Sequence, residues 1–116
     1  MQFSDFQPYI VPALVVLFFG WRILKFKKVK THLPKLIEDG AIVVDVRSPE
    51  EFRQGSRPGS KNIPLGELGQ RFKELNPTKT IILCCASGTR SGMAATILKS
   101  NGFESVVNAG PWTNTL

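Results

Sequence analysis

Cysteine and histidine are both scarce in this chain, and what little there is sits in uninformative or tightly restricted places. The only two cysteines, Cys84 and Cys85, are adjacent. Neighbouring cysteines cannot staple distant segments, which excludes a disulfide framework, and two free thiols suit a reducing compartment. The single histidine, His32, stands beside a basic cluster, far in sequence from either cysteine. No local Cys–His pair is therefore on offer, and His32 reads as a solvated surface residue. Charge is missing altogether between Asp5 and Arg22. Internal repeats and low-complexity linkers are absent too, and 116 residues suffice for one domain of modest core.

The formal charge of +6 is unevenly spread. Arg22, Lys25, Lys27, Lys28 and Lys30 face Asp5 alone within residues 1–31, whereas the remainder carries ten basic and eight acidic groups. A nucleic-acid binder carries its basic face on the folded domain; here the excess is a local cluster, which argues against nucleic acid as a partner. The uncharged stretch before the cluster is apolar from Ile10 to Phe19 apart from Pro12. Extended to residues 6–24, with Arg22 snorkelling outward, it makes a helix of about 28 Å, just enough to cross a bilayer core of about 30 Å. Tyr9 and Trp21 fall near its ends, where interfacial aromatics belong. The positive flank, residues 25–30, follows the apolar run. This order predicts a single-pass anchor in the cell (inner) membrane with the main domain, residues 31–116, on the cytoplasmic side. A cleaved signal peptide has the reverse charge order and a small-residue cleavage site, neither of which is present. An interfacial helix or a partner-binding segment is the alternative.

From Thr31 the pattern becomes α/β. Thr31–Asp39 reads as a short helix with Pro34 in its first turn and Gly40 as its stop. Ala41–Val46 reads as a strand buried on both faces. Ser48-Pro49-Glu50-Glu51 opens a helix, with Ser48 as its cap. A short strand at 62–65, a helix at 66–75, a strand at 80–84, a helix at 91–100 closed by Asn101-Gly102, and a last strand at 105–108 complete the alternation. Alternating strands and helices predict a parallel sheet with helices on both faces.

The chemistry concentrates in Thr80–Leu98. A buried strand runs into a short loop holding Cys85, Gly88, Arg90 and Ser91, and a helix follows. Ligands of open α/β sheets bind beyond the carboxyl ends of strands, and a loop feeding a helix N-terminus gathers backbone N–H groups into an anion-stabilising concavity. Such a site, with the Arg90 cation nearby, predicts a Cys85 thiolate, the nucleophilic form of the residue. Gly88 relieves the tight turn, and Ser91 is placed to cap the helix. Cys84 reads as a buried small residue, with a resolving thiol as the alternative. Asp45 and Arg47 read as an internal ion pair or loop clamp. Arg57 reads either as an anion-attracting residue at the pocket mouth or as a surface charge.

The loop Cys85-Ala86-Ser87-Gly88-Thr89-Arg90-Ser91 resembles the six-residue active-site loop of rhodanese domains. Asp45-Val46-Arg47-Ser48-Pro49-Glu50-Glu51-Phe52, Pro58 to Leu65, Gly102-Phe103 and Asn108-Ala109-Gly110 are also similar to segments of that family, in the same order. The resemblance implies a rhodanese-like parallel sheet and a sulfurtransferase, with Cys85 as catalytic persulfide carrier and Ala86, Ser87, Gly88, Thr89, Arg90 and Ser91 binding substrate. The implied partners are a small-molecule sulfur donor such as thiosulfate, a thiol or cyanide acceptor, and a protein thiol. The chemistry needs no metal and no organic cofactor. Cysteine phosphatases use a longer loop, with five residues between Cys and Arg; Cys85 and Arg90 have four between them, so the loop is the sulfur-sized one. A non-catalytic membrane-tethered binding module and a thiol redox sensor are the rival readings. The chain departs from many relatives at Ser56 and Arg57, in place of a histidine and an apolar residue, and at Pro111, in place of a second glycine.

Overall fold

Short extended segments cannot satisfy their own backbone, and here four of them pair side by side. A computed structural model describes residues 7–116. The strands β1 (Ile42–Asp45), β2 (Lys61–Asn62), β3 (Ile81–Cys85) and β4 (Val106–Pro111) form one parallel sheet in the order β2-β1-β3-β4. Between them run α2 (Pro49–Gln54), α3 (Leu65–Arg71) with a single 3-10 turn at Phe72–Glu74, and α4 (Thr89–Ser100); a second 3-10 turn, Trp112–Thr115, follows β4. Ser48 caps α2 through a capping box with Glu51, as the sequence predicts.

The sheet is covered on both faces. Val44, Ile81, Leu83 and Cys85 face a core closed by Leu68, Ala94, Ala95, Leu98 and Phe103. Val43, Ile82, Cys84 and Ala109 face the other way, against Leu33 with Val29, Leu36 and Ile37 around it. Strand alternation thus sends the two adjacent cysteines to opposite faces. The α/β arrangement expected from the sequence, a parallel sheet covered on both faces, is the one observed.

Several boundaries differ. The helix expected at Thr31–Asp39 is not a separate element: α1 runs unbroken from Gln7 to Glu38, so Pro34 lies in its interior and not in its first turn. No glycine or proline interrupts residues 21–33, and the Lys, Leu and Arg found there favour helix. Pro34 removes one backbone bond, while Val29, Leu33, Leu36 and Ile37, at helical spacing, anchor the last turns on the sheet. The start of the apolar segment at residue 6, and Asp5 before it, lie outside the described residues. β4 continues to Pro111, beyond the expected end at Asn108, because Ala109 is absorbed as a bulge: Leu83 pairs with Asn108 and Cys84 with Gly110.

Direction is the feature that places the site. A tight turn, Asp39–Ala41, joins α1 to β1, so α1 runs against the strands. Its N-terminal half consequently projects past the carboxyl edge of the sheet, and the molecule measures 59 Å along its longest axis against 30 and 28 Å across.

Candidate active site

Cys85 is the last residue of β3 and not a loop residue, since its backbone still pairs with Pro111. Gly88 then takes φ 103°, a left-handed turn open to glycine, and becomes the N-cap of α4. The turn brings the Gly88 N–H to 2.9 Å from Cys85 Sγ. Ser91 does not cap the helix as expected; it lies two residues inside α4, fully buried, with its hydroxyl 3.4 Å from Sγ. Burial by itself pushes the Cys85 thiol up, but the Ser91 hydroxyl and the backbone N–H groups of Ser91, Gly88 and Ser87 outweigh it, and the net shift is downward. The cradle of donors favours the thiolate form.

Asn108 organises the floor of this cradle. Its side-chain carbonyl accepts from Ser91 Oγ at 2.6 Å and from the Gly110 N–H at 3.0 Å, while its amide donates to the Gly88 carbonyl at 3.2 Å. Ser91 has a single hydroxyl proton, so Cys85 and Asn108 compete for it. A thiol at Cys85 can donate to Ser91 Oγ and leave the Asn108 bond intact; a thiolate draws the proton toward sulfur.

Arg90 departs from expectation. Its guanidinium is held by Glu51 in a two-pronged pair, Nη1–Oε1 at 2.7 Å and Nη2–Oε2 at 3.0 Å, which ties α4 to α2. The Arg90 hydrogen bond, with the Ser48 backbone N–H, takes the Glu51 carboxyl down to about 2. The principal stabilisers of the Cys85 anion are the hydrogen-bond donors around it, and Arg90 interacts with Cys85 through its charge and not through a hydrogen bond. Ala86, Ser87 and Thr89 are exposed on the outer rim.

Asp45 and Arg47 form a buried ion pair. Arg47 Nε reaches both carboxylate oxygens at 3.0 Å, Nη2 reaches Oδ2 at 2.8 Å, and the Arg47 backbone N–H donates to Oδ1. Arg47 also donates to the Gly55 carbonyl at 2.6 Å and lies 5.0 Å from the Trp112 ring. The pair clamps the β1–α2 connection against the chain end and touches neither Cys85 nor its loop. Cys84 lies beneath it on the face covered by α1; burial, with the Asp45 charge, pushes its thiol up to about 12. Arg57 is remote from the Cys85 loop, donating to the Thr115 carbonyl near the end of α1. Among the described residues no cluster of His, Cys, Asp and Glu has metal-binding geometry.

Four residues of the site escaped the sequence reading. Glu51 was legible only as a helix opener. Asn108 is a polar interruption in the apolar run Val106–Gly110, which is the signal that marks it. Arg22 and Phe26 belong to α1, sixty residues upstream, and no local pattern connects them to the loop. Arg22 Nη2 donates to the Ser87 carbonyl and Thr89 Oγ1, both at 3.3 Å, and the Phe26 ring packs on Gly88 and Gly110.

A buried cysteine at the carboxyl end of a parallel strand, ringed by N–H donors at a helix start, defines a cysteine-centred anion site on an open α/β sheet. Residues 29–110 match the Rhodanese-like domain, and the chain belongs to that family. It is 41% identical over 69 residues to the thiosulfate sulfurtransferase PspE of Escherichia coli, an alignment covering 58% of this chain and 66% of PspE. Among solved structures it is similar to a rhodanese with anions from E. coli, at TM-score 0.61 and 34% identity over 65% of this chain and 91% of that one. It is also similar to the human single-domain sulfurtransferase TSTD1, at TM-score 0.64 and 28% identity over 72% of this chain and 88% of that one. The chain spans less than two thirds of several curated relatives, 40% of one and 54% of another.

Proposed function

We propose that the protein is a membrane-anchored sulfurtransferase working through a Cys85 persulfide. The observation that carries this reading is the cradle itself: Sγ within reach of the Gly88 N–H and the Ser91 hydroxyl, with its acidity raised by them. The Cys85 thiolate attacks the outer sulfur of a donor such as thiosulfate, the S–S bond of the donor breaks, and sulfite leaves with the bonding electrons. The loop N–H groups then hold the persulfide anion. A thiophilic acceptor, cyanide or a small-molecule or protein thiol, removes the outer sulfur and restores Cys85. Relatives named for sulfur transfer support the class of reaction.

The anchor is part of the proposal. The large side chains of α1 from Val11 to Leu24 are exposed apart from Arg22, a surface that needs covering. The basic residues that follow favour a cytoplasmic domain. Intact mass spectrometry after brief thiosulfate treatment tests the chemistry: a gain of about 32 Da on Cys85, removed by cyanide, is expected. Cys84→Ser should keep the gain and Cys85→Ser should lose it. A Cys85→Ser variant that still turns over overturns the assignment.

A further inference from the structure

The direction of α1 leaves the catalytic loop little choice of where to face. Arg22 and Phe26 touch the loop, and the uncharged stretch ahead of Arg22, bounded by Asp5, holds sixteen residues, about 24 Å as a helix. That length falls short of a bilayer core of about 30 Å, so a spanning α1 must sink to about Leu24. The loop, docked on Arg22 and Phe26, is then pulled into the headgroup plane. Between helix and loop lies a groove of about 570 Å³, within the range of small-molecule sites. Phe18, Phe19, Ile23 and Phe26 form one wall, and Ala86 and Pro111 stand on the other. Arg22 lies at the junction, its guanidinium on Ser87 and Thr89.

We infer that this groove binds the alkyl chain of an amphiphilic thiol that reaches the site laterally from the bilayer and accepts the sulfur there. The inference rests on the anchored-sulfurtransferase reading above. The apolar wall is continuous with the exposed apolar stretch of α1, so a chain lying among lipid tails enters without crossing water. The Arg22 cation stands where the thiolate head must stop, and it favours the ionised, nucleophilic form. Cys85 is only 1% exposed, which keeps bulk solvent from it, while persulfidation carries the transferable sulfur about 2 Å farther out. In the transfer the acceptor thiol gives its proton to solvent. Its thiolate attacks the outer sulfur of the persulfide, a new S–S bond forms and the old one breaks. The electron pair returns to Cys85, which leaves as thiolate, and the acceptor departs as an alkyl persulfide. No oxidant or reductant is consumed.

The experiment uses the full chain in nonionic detergent micelles. Cys85 is loaded with thiosulfate and then discharged with decanethiol or with 2-mercaptoethanol, and the loss of the added sulfur is followed by intact mass. Ile23→Trp fills the groove and keeps α1 apolar; Phe18→Ala opens the same wall. Comparing variants in identical micelles cancels the partitioning of decanethiol. Filling the groove should slow decanethiol discharge about tenfold, the scale of steric exclusion from an apolar pocket, and Phe18→Ala should slow it less. Neither should change discharge by 2-mercaptoethanol. If Ile23→Trp slows both thiols equally, or neither, the groove is not the acceptor site. Wild-type chain that never loads sulfur fails at the first step and overturns the sulfurtransferase reading and this one together.

Discussion

Alanine at position 88 should dismantle the anion cradle while leaving Cys85 itself in place. Gly88 stands at φ 103°, where a side chain costs about 1–2 kcal/mol. A β-carbon there would lie 2.7 Å from Phe26 Cζ and 3.1 Å from Gly110 Cα. The phenyl ring can turn, but the Gly110 backbone is fixed in its pairing with Cys84. Overlap of this kind in a packed site costs a further 1–3 kcal/mol or so, making about 2–5 kcal/mol in all. At roughly 4 °C per kcal/mol, the unfolding midpoint should fall by about 8–20 °C. The strain also has a chemical consequence. Relief requires the 87–89 backbone to move, and movement takes the Gly88 N–H away from its 2.9 Å contact with Sγ. Thermal unfolding by circular dichroism reads the first effect, and the pH profile of Cys85 alkylation by iodoacetamide reads the second. That profile should shift to higher pH. Phe26→Ala in the same chain removes the closest overlap but not the Gly110 contact or the φ penalty. The double variant should therefore recover part of the lost stability, with a coupling of about 1 kcal/mol between the two positions. A Gly88→Ala protein with unchanged midpoint and unchanged alkylation profile would refute the reasoning about both strain and cradle.

Ser91→Ala removes the side-chain donor to Cys85, so the alkylation profile should move up in pH, back toward an ordinary thiol. The same cradle makes stability depend on pH. A thiol whose folded value is depressed stabilises the native state above its unfolded value, and that contribution is lost as pH falls through the folded value. Ser91→Ala should therefore cost more stability at pH 9 than at pH 6, by chemical denaturation; equal costs would remove the hydroxyl from the account. Arg47→Ala strands Asp45 in the sheet and should cost about 3–5 kcal/mol. An Arg47→Ala chain as stable as wild type in urea would show the pair to be dispensable.

The Cys85 loop was legible because its signals are local. A continuous apolar strand, a glycine at the turn and a helix start within seven residues place Cys85 among N–H donors by chain connectivity alone, and the same holds for the Ser48–Glu51 opening of α2. The partner of Arg90 is not legible in the same way: Glu51 is 39 residues away and meets it only when α2 packs beside α4. Ser91 was assigned to the cap because caps are the common place for serine before a helical run, whereas Gly88 starts the helix three residues earlier and turns that hydroxyl inward. The helix start expected at Thr31 is absent for a related reason: the packing of Leu33 and its neighbours on the sheet holds one helix through Pro34.

The sequence by itself determined the alternating strands and helices, the parallel sheet, the place of Cys85 at the carboxyl end of a buried strand and the buried partnership of Asp45 with Arg47, because each depends on residues a few positions apart. Strand alternation turns Cys84 and Cys85 to opposite faces, but tertiary structure alone decided that their acidities shift in opposite directions, since that rests on what covers each face. It also decided that α1 is one helix running against the strands, so that Arg22 and Phe26 meet a loop sixty residues downstream. Those contacts follow from the packing of whole elements, and no local spacing encodes them.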